Sequence, residues 1–438
     1  MKILLKNCKT VEGLQKIIIE DDKIVEIISS ATEMRFKPEC DKIIDIGGNF
    51  VIPGVIDPHV HVRDLKQAYK EDWNSVSKAA LSGGVTTIFD MPNSVPATVN
   101  LANLNIKREA AKKAFVNYKF YLGATNSNLN ELEEILKTNP NDIAGIKVFL
   151  SASSSNEIIN SRNNLRAVFQ LAKKFDKVVV VHTELQEIID FRSQKIEEKN
   201  ILKHGLIRDR FAAIKGTKLV LDLANEIKNK LYIAHVSTKE EIELIKVFKD
   251  DNRIFCEVTP HHLLLNEMVL KNVGNFGKVN PPLRTENDNK ALWKAILDGT
   301  ADVVGTDHAP HSKEEKEKEY SQAPSGFPGL ETGLHLLLNE VNKGNLSMKR
   351  LIELTSKNPA KIFELENRGE IKIGNYADLT VIDMKKKWKI DSSKFHSKAK
   401  YSPFDGFEIQ GKVLMTFVNG RGFVLATNKT NKTNKGKI

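Results

Sequence analysis

AGIKVFL (residues 144–150), NNLRAVFQLAKKF (163–175) and KVVVVHTE (177–184) form the stretch that decides the fold. Two short apolar runs bracket an amphipathic segment, the pattern of a buried strand, a crossover helix and a second, parallel strand. The same alternation extends in both directions. FVIPGVID (50–57), VTTIFDM (85–91) and YKFYLGAT (118–125) precede it, and LYIAHVST (231–238), RIFCEVTP (253–260) and ADVVGTDH (301–308) follow. NLNELEEILK (128–137) and TKEEIELIKVFK (238–249) are further amphipathic segments. Eight βα units in one run predict an α/β fold, a (β/α)8 TIM barrel.

The two ends of the chain read differently. KILLKN, KIIIED, KIVEII and KIIDIGG in residues 1–50, then GEIKIGNYADLTVID and GKVLMTFVNGRGFVL in 366–425, are short strands punctuated by Gly and Asn turns. They predict one small β module assembled from both termini around a barrel at 51–365. Residues 426–438, ending NKTNKTNKGKI, are polar and repetitive, and disorder is expected there.

Composition agrees with this division. The 438 residues suit a barrel of ~250 residues plus a smaller module, and 41% hydrophobic residues allow a sizeable core. The net charge of +10 comes from scattered Lys, with no basic block interleaved with aromatics, so a nucleic-acid partner is not expected. Cys8, Cys40 and Cys256 form no CxxC pair and no closed disulfide framework. MKILLKNCKTVEG turns polar too soon for a signal peptide, and no run approaches the ~20 apolar residues of a membrane span. A cytoplasmic protein without a membrane partner is expected, and assembly into a homo-oligomer is compatible with it.

In a barrel of this kind the active site forms at the C-terminal ends of the strands. The first strand ends in Asp57-Pro58-His59-Val60-His61-Val62-Arg63. Residues two apart in extended chain face the same way, so His59 and His61 can grip one ion, although a lone HxH is equally a structural pair. Lys147 interrupts an apolar strand, where an amine is costly unless it snorkels, is paired or is chemically altered. His182 and His235 end the fifth and sixth strands, and either alone reads as a hydrogen-bonded core histidine. Asp307 follows the eighth, where an unpaired carboxylate would be expensive. Together, four imidazoles, a lysine and a carboxylate converge on one mouth.

This constellation resembles the amidohydrolase superfamily. PGVIDPHVHVRD, MPNSVPAT, CEVTPHHLLL, NPPLR, GTDHAPHSKEEK and PSGFPGLET look like motifs of its dihydroorotase family, and the likeness covers nearly the whole chain. It implies reversible, zinc-dependent closure of N-carbamoyl-L-aspartate to (S)-dihydroorotate in pyrimidine biosynthesis. By the same resemblance, two Zn2+ ions per subunit are bound, one by His59, His61 and Asp307 and the second by His182 and His235. A carboxylated Lys147 bridges them. Some family members bridge instead with an Asp from this region, but SASSSN (151–156) contains none. Two cations ~3.5–4 Å apart can share a water and lower its pKa towards neutrality. Asp307 is then placed to carry a proton from that water to the leaving nitrogen.

The substrate is expected to be a small anion. Arg63, two positions beyond His61, can hold a carboxylate through two charge-assisted hydrogen bonds. Asn93 and His311 match family positions that complete this grip, and His61, Asn280, Ser325 and Gly326 match further substrate contacts. His261, His262 and Glu257 are assigned buried hydrogen-bonding roles rather than a metal. HSKEEKEKEY (311–320) reads as a solvated loop or helix. Dihydropyrimidinases, hydantoinases and allantoinases share the metal cage but need no carboxylate clamp. A catalytically silent scaffold would have lost ligands, and here every ligand position is filled.

Overall fold

The computed structural model describes residues 1–29, 39–152, 158–249 and 253–425; the run expected to be disordered, and most of SASSSN, lie outside them. The chain opens with β1 (Lys2–Thr10), β2 (Gly13–Glu20), β3 (Lys23–Ser29), β4 (Lys42–Asp45) and β5 (Phe50–Pro53). Eight barrel strands follow: β6 (Val55–Val60), β7 (Val85–Asp90), β8 (Asn117–Gly123), β9 (Ile143–Phe149), β10 (Val178–His182), β11 (Leu231–Ile233), β12 (Ile254–Val258) and β13 (Val303–Val304). The chain then returns to the first sheet with β14 (Leu379–Lys389), β15 (Glu408–Val418) and β16 (Arg421–Val424). That sheet runs β16-β15-β14-β5-β1-β2-β3, with β4 beside β1, so one β module is built from both termini.

FVIPGVID, read above as one strand, is two. Phe50–Pro53 pairs antiparallel with β14, and Val55 starts the barrel by pairing with β7. Gly54 is the joint. A Cβ there would overlap the Thr86 side chain, and its N–H leaves the ladder to bond Asp378 O at 2.8 Å.

β6 to β13 run in parallel in sequence order, each bonded to the next. Closure is narrow: a parallel bridge joins Val60 to His308, and His61 N–H donates to His308 O at 2.8 Å. Strand periodicity aims the side chains. Ile146, Val148, Val179 and Val181 pack in the large cluster against the surrounding helices. Val178, Val180, Tyr121 and Tyr232 belong to the cluster enclosed by the strands, plugged by Phe363. Period two therefore turns Lys147, His182 and Glu257 inward. The helices cover the outside as their patterns require. Arg162–Lys174, capped by Ser161, buries Leu165, Val168, Phe169 and Ala172. Among the described residues no helix is long and apolar enough to cross a membrane.

Candidate active site

Backbone strain marks the mouth of the barrel. Arg63, His235 and Asp307 take φ of 66°, 38° and 48°, a left-handed region uncommon for any residue but Gly and least suited here to Arg63. His235 shows the effect. It follows the alternation of Tyr232 and Ala234, which face the barrel interior, and would otherwise turn outward. Its left-handed backbone brings the ring to within 4.7 Å of His182 and 5.2 Å of His59, centroid to centroid.

His59, His61 and Asp307 form one group whose ligand atoms all lie within 4.8 Å of one another. Each imidazole is held from behind. His59 Nδ1 lies 2.7 Å from Glu257 Oε1, and His61 Nδ1 lies 2.7 Å from Asn93 Oδ1. A carboxylate or amide oxygen can only accept, so both Nδ1 atoms carry hydrogen and both Nε2 lone pairs face forward. Those Nε2 atoms are each 3.2 Å from Asp307 Oδ1. Burial opposes ionisation of Asp307, whereas a positive charge on His59 or His61 beside it would draw its carboxyl well below the usual carboxylate range. Burial pushes His61 down to about 3, so its neutral, ligating form persists. This buried group can hold a metal ion.

A second pair adjoins it. His182 Nδ1 and His235 Nε2 are 3.0 Å apart. Glu184 Oε2 accepts from His182 Nε2 at 3.0 Å, and Arg208 in turn bonds that same carboxylate at 2.7 Å. Lys147 lies fully buried, and its Nζ has no hydrogen-bond partner among the described residues. Burial lowers its pKa to about 8. An orphaned amine beside imidazoles with forward lone pairs fits a bridged pair of cations, because carboxylation would give it two anionic oxygens and both would have partners.

The remaining wall is formed by Arg63, Asn280, Ala309, Ser325 and Gly326, which line one cavity with His59, His61, His182, His235 and Asp307. Arg63 Nη2 stands 3.1 Å from His311 Nε2, and Arg63 Nε donates to Pro310 O. Gly326, at φ 120°, presses against Ala309, where a Cβ would come within 2.6 Å of the carbonyl oxygen. Asn280 Oδ1 accepts from Ser325 Oγ at 3.1 Å and from His204 Nε2 at 3.1 Å. Asn93 meets the site through His61, and His311 through Arg63.

The expected hydrogen-bonding residues behave in two ways. Glu257 accepts from His59, from Tyr232 Oη at 2.8 Å and from the backbone of His235 at 3.0 Å, so one carboxylate ties three strands to the mouth. His262 bonds Thr259 and Pro281 O, whereas His261 Nε2 has no partner among the described residues. HSKEEKEKEY is solvated along Lys313, Glu314 and Glu317–Glu319, as expected, but not throughout. Lys316 is buried and donates to Lys278 O, Pro324 O and Gly326 O, fastening the Ser325–Gly326 loop. Glu315 binds Lys70, and Tyr320 bonds His204 at 2.8 Å. Glu184, Arg208, His204, Lys70 and Glu315 had been given no site role from the sequence.

A model of the amidohydrolase family matches residues 50–422, which span the barrel and the returning strands. The chain belongs to the amidohydrolase family. Within it, this is a cyclic amide hydrolase. This amidohydrolase is 36% identical over 425 residues to the dihydroorotase of Methanosphaera stadtmanae, covering 95% of each chain. It is 34% identical over 435 residues to the L-hydantoinase of Paenarthrobacter aurescens, covering 95% of this chain and 93% of that one. A solved L-hydantoinase (dihydropyrimidinase) from Arthrobacter aurescens superposes with a TM-score of 0.91 at 31% identity, covering 97% of both chains.

Proposed function

We propose that this amidohydrolase is a dihydroorotase, a cytoplasmic enzyme that closes N-carbamoyl-L-aspartate to (S)-dihydroorotate plus water and reverses the reaction. The observation that carries the reading is the cavity wall at Arg63, Ser325 and Gly326, where His311 Nε2 stands 3.1 Å behind Arg63 Nη2. An uncharged ring has nothing to place there. The carboxylate of dihydroorotate would accept from both.

His59, His61 and Asp307 would hold one zinc ion, His182 and His235 the other, and a carboxylated Lys147 would join them. The neutral amine adds carbon dioxide and releases one proton, and its depressed pKa keeps that neutral form accessible. Bound in this way, the cations would supply Lewis acidity towards the ring carbonyl and acidify a water between them. Asp307, a carboxylate set between His59 and His61, accepts the proton of the attacking water and delivers it to the ring nitrogen as the amide bond breaks. Glu257 and Asn93 keep the two imidazoles in one tautomer throughout. Arg63 and His311 hold the carboxylate, with Asn280, Ser325 and Gly326 along the ring edge.

A second reading, a hydantoinase or dihydropyrimidinase, is favoured by the TM-score of 0.91 with the solved L-hydantoinase. Assay of the purified chain with dihydroorotate, dihydrouracil and hydantoin separates the two. The dihydroorotase reading expects dihydroorotate to dominate in kcat/KM, and a preference for either uncharged ring overturns it. Elemental analysis expects two zinc ions per chain, and a mass increment of one carboxyl group on Lys147 under native conditions.

A further inference from the structure

Lys70 lies in AYKED (68–72), just beyond the first barrel strand and outside every motif used above. Its buried ammonium is 2.9 Å from Glu315 Oε1 and 3.1 Å from His311 Nδ1. An ammonium has only hydrogens to offer, so Nδ1 receives a hydrogen bond and carries no proton of its own. The ring proton therefore sits on Nε2, directed at Ser325 O, 3.1 Å away on the cavity wall. Burial and the neighbouring Arg63 keep the ring neutral. The opposite tautomer would point Nδ1–H at Lys70 and a lone pair at Ser325 O. It would gain one bond from Arg63 Nη2, while Glu315 Oε2 at 3.7 Å is too distant to accept well. Two repulsive contacts against one decide for Nε2–H.

We propose that Lys70, anchored by Glu315, is a positioning residue that fixes the tautomer of His311 and thereby sets the preference for a carboxylate-bearing ring. For its substrate this rests on the dihydroorotase reading; for its geometry it does not. With Nε2 protonated, His311 offers Arg63 Nη2 no lone pair, and its one hydrogen, turned to Ser325 O, can be shared with an acceptor that enters beside Arg63 Nη2. Two donors cannot satisfy each other, whereas a carboxylate oxygen accepts from both. In the other tautomer His311 would accept from Arg63 and draw the guanidinium onto itself. Discrimination by charge then depends on a lysine that touches neither substrate nor metal ligand.

The test joins a tautomer measurement with a kinetic split. In the full-length, metal-loaded chain labelled with 15N-histidine, the His311 signal, assigned by its loss in His311→Asn, should report Nε2–H. Lys70→Met should shift it towards Nδ1–H. The same variant should raise KM for dihydroorotate by roughly 10- to 100-fold, with kcat within about threefold and turnover of dihydrouracil unchanged, as loss of uniform binding to the carboxylate requires. Nδ1–H in the wild-type chain, or equal losses on both rings, overturns the proposal. If Lys70→Met does not fold, the wild-type spectrum decides alone. That spectrum needs no substrate, so a wild-type chain inert towards dihydroorotate would sink the substrate reading while the tautomer still decided the role of Lys70.

Discussion

The barrel mouth and the terminal β module solve the same chain's problems in opposite ways. In the module, the residues with left-handed backbone are Gly or Asn7, Asp21, Asn367 and Asn419, types that tolerate it well. At the mouth they are Arg63, Asp64, Leu65, His235 and Asp307, and two of these, Arg63 and Leu65, are of types that rarely accept it. Among the described residues, β1 to β5 and β14 to β16 hold no buried side-chain polar atom without a hydrogen-bond partner and the module's connections leave Tyr401 Oη, whereas the mouth holds Lys147 Nζ, His235 Nδ1, Glu184 Oε1 and His261 Nε2. Such atoms and backbone strain each cost about 1–3 kcal/mol. One region is finished as it stands. The other is completed by what it binds.

The largest effect that would sharpen this contrast is on Asp307. Asp307→Asn should lower kcat by about 10³-fold or more while metal content by elemental analysis stays near wild type. A near-normal rate would remove Asp307 from proton transfer. In the module, Phe417 is fully buried, and Phe417→Ala should destabilise the chain by about 3–5 kcal/mol in urea unfolding. Its kcat per folded molecule should stay within about twofold. A large fall in kcat would break the separation of the two regions.

Lys147 offers a test by pH. Its value falls from 10.5 unfolded to about 8 folded, so the unfolded chain binds the proton more tightly. Between those values stability of the metal-free, carbon-dioxide-free protein rises with pH, by about 3 kcal/mol from this group, and the gain is absent below about pH 8. Lys147→Met should flatten that slope, and an unchanged slope would show the amine is not the source. Arg63→Met has the smallest expected effect. It should weaken binding of dihydroorotate by roughly 10- to 100-fold and spare dihydrouracil, since one charge-assisted pair is lost. Calorimetric titration showing equal losses would discard the clamp.

The sequence carried the barrel because period two and helical spacing are local signals, and it carried His59, His61, Lys147, His182, His235 and Asp307 because each stands where a strand ends. It misplaced the joint at Gly54. A continuous apolar run looks the same whether it serves one sheet or two. Arg208 and Lys70 were illegible for another reason: their partners Glu184 and Glu315 lie far along the chain or in a run rich in charge. Composition marks KEEK as solvated, and only the docking of that short helix shows Lys316 enclosed by carbonyls.

The bridge between Val60 and His308 has a consequence for biogenesis. Because the His59–His61–Asp307 set straddles the seam between the first and last strands, the ligands from the two sides meet only when the circle shuts. A ribosome-bound or truncated chain lacking the eighth strand carries two of that set's three ligands, so an ion that needs all three would be captured only after synthesis has passed residue 308. Metal uptake would thus serve the cell as a receipt for a finished barrel.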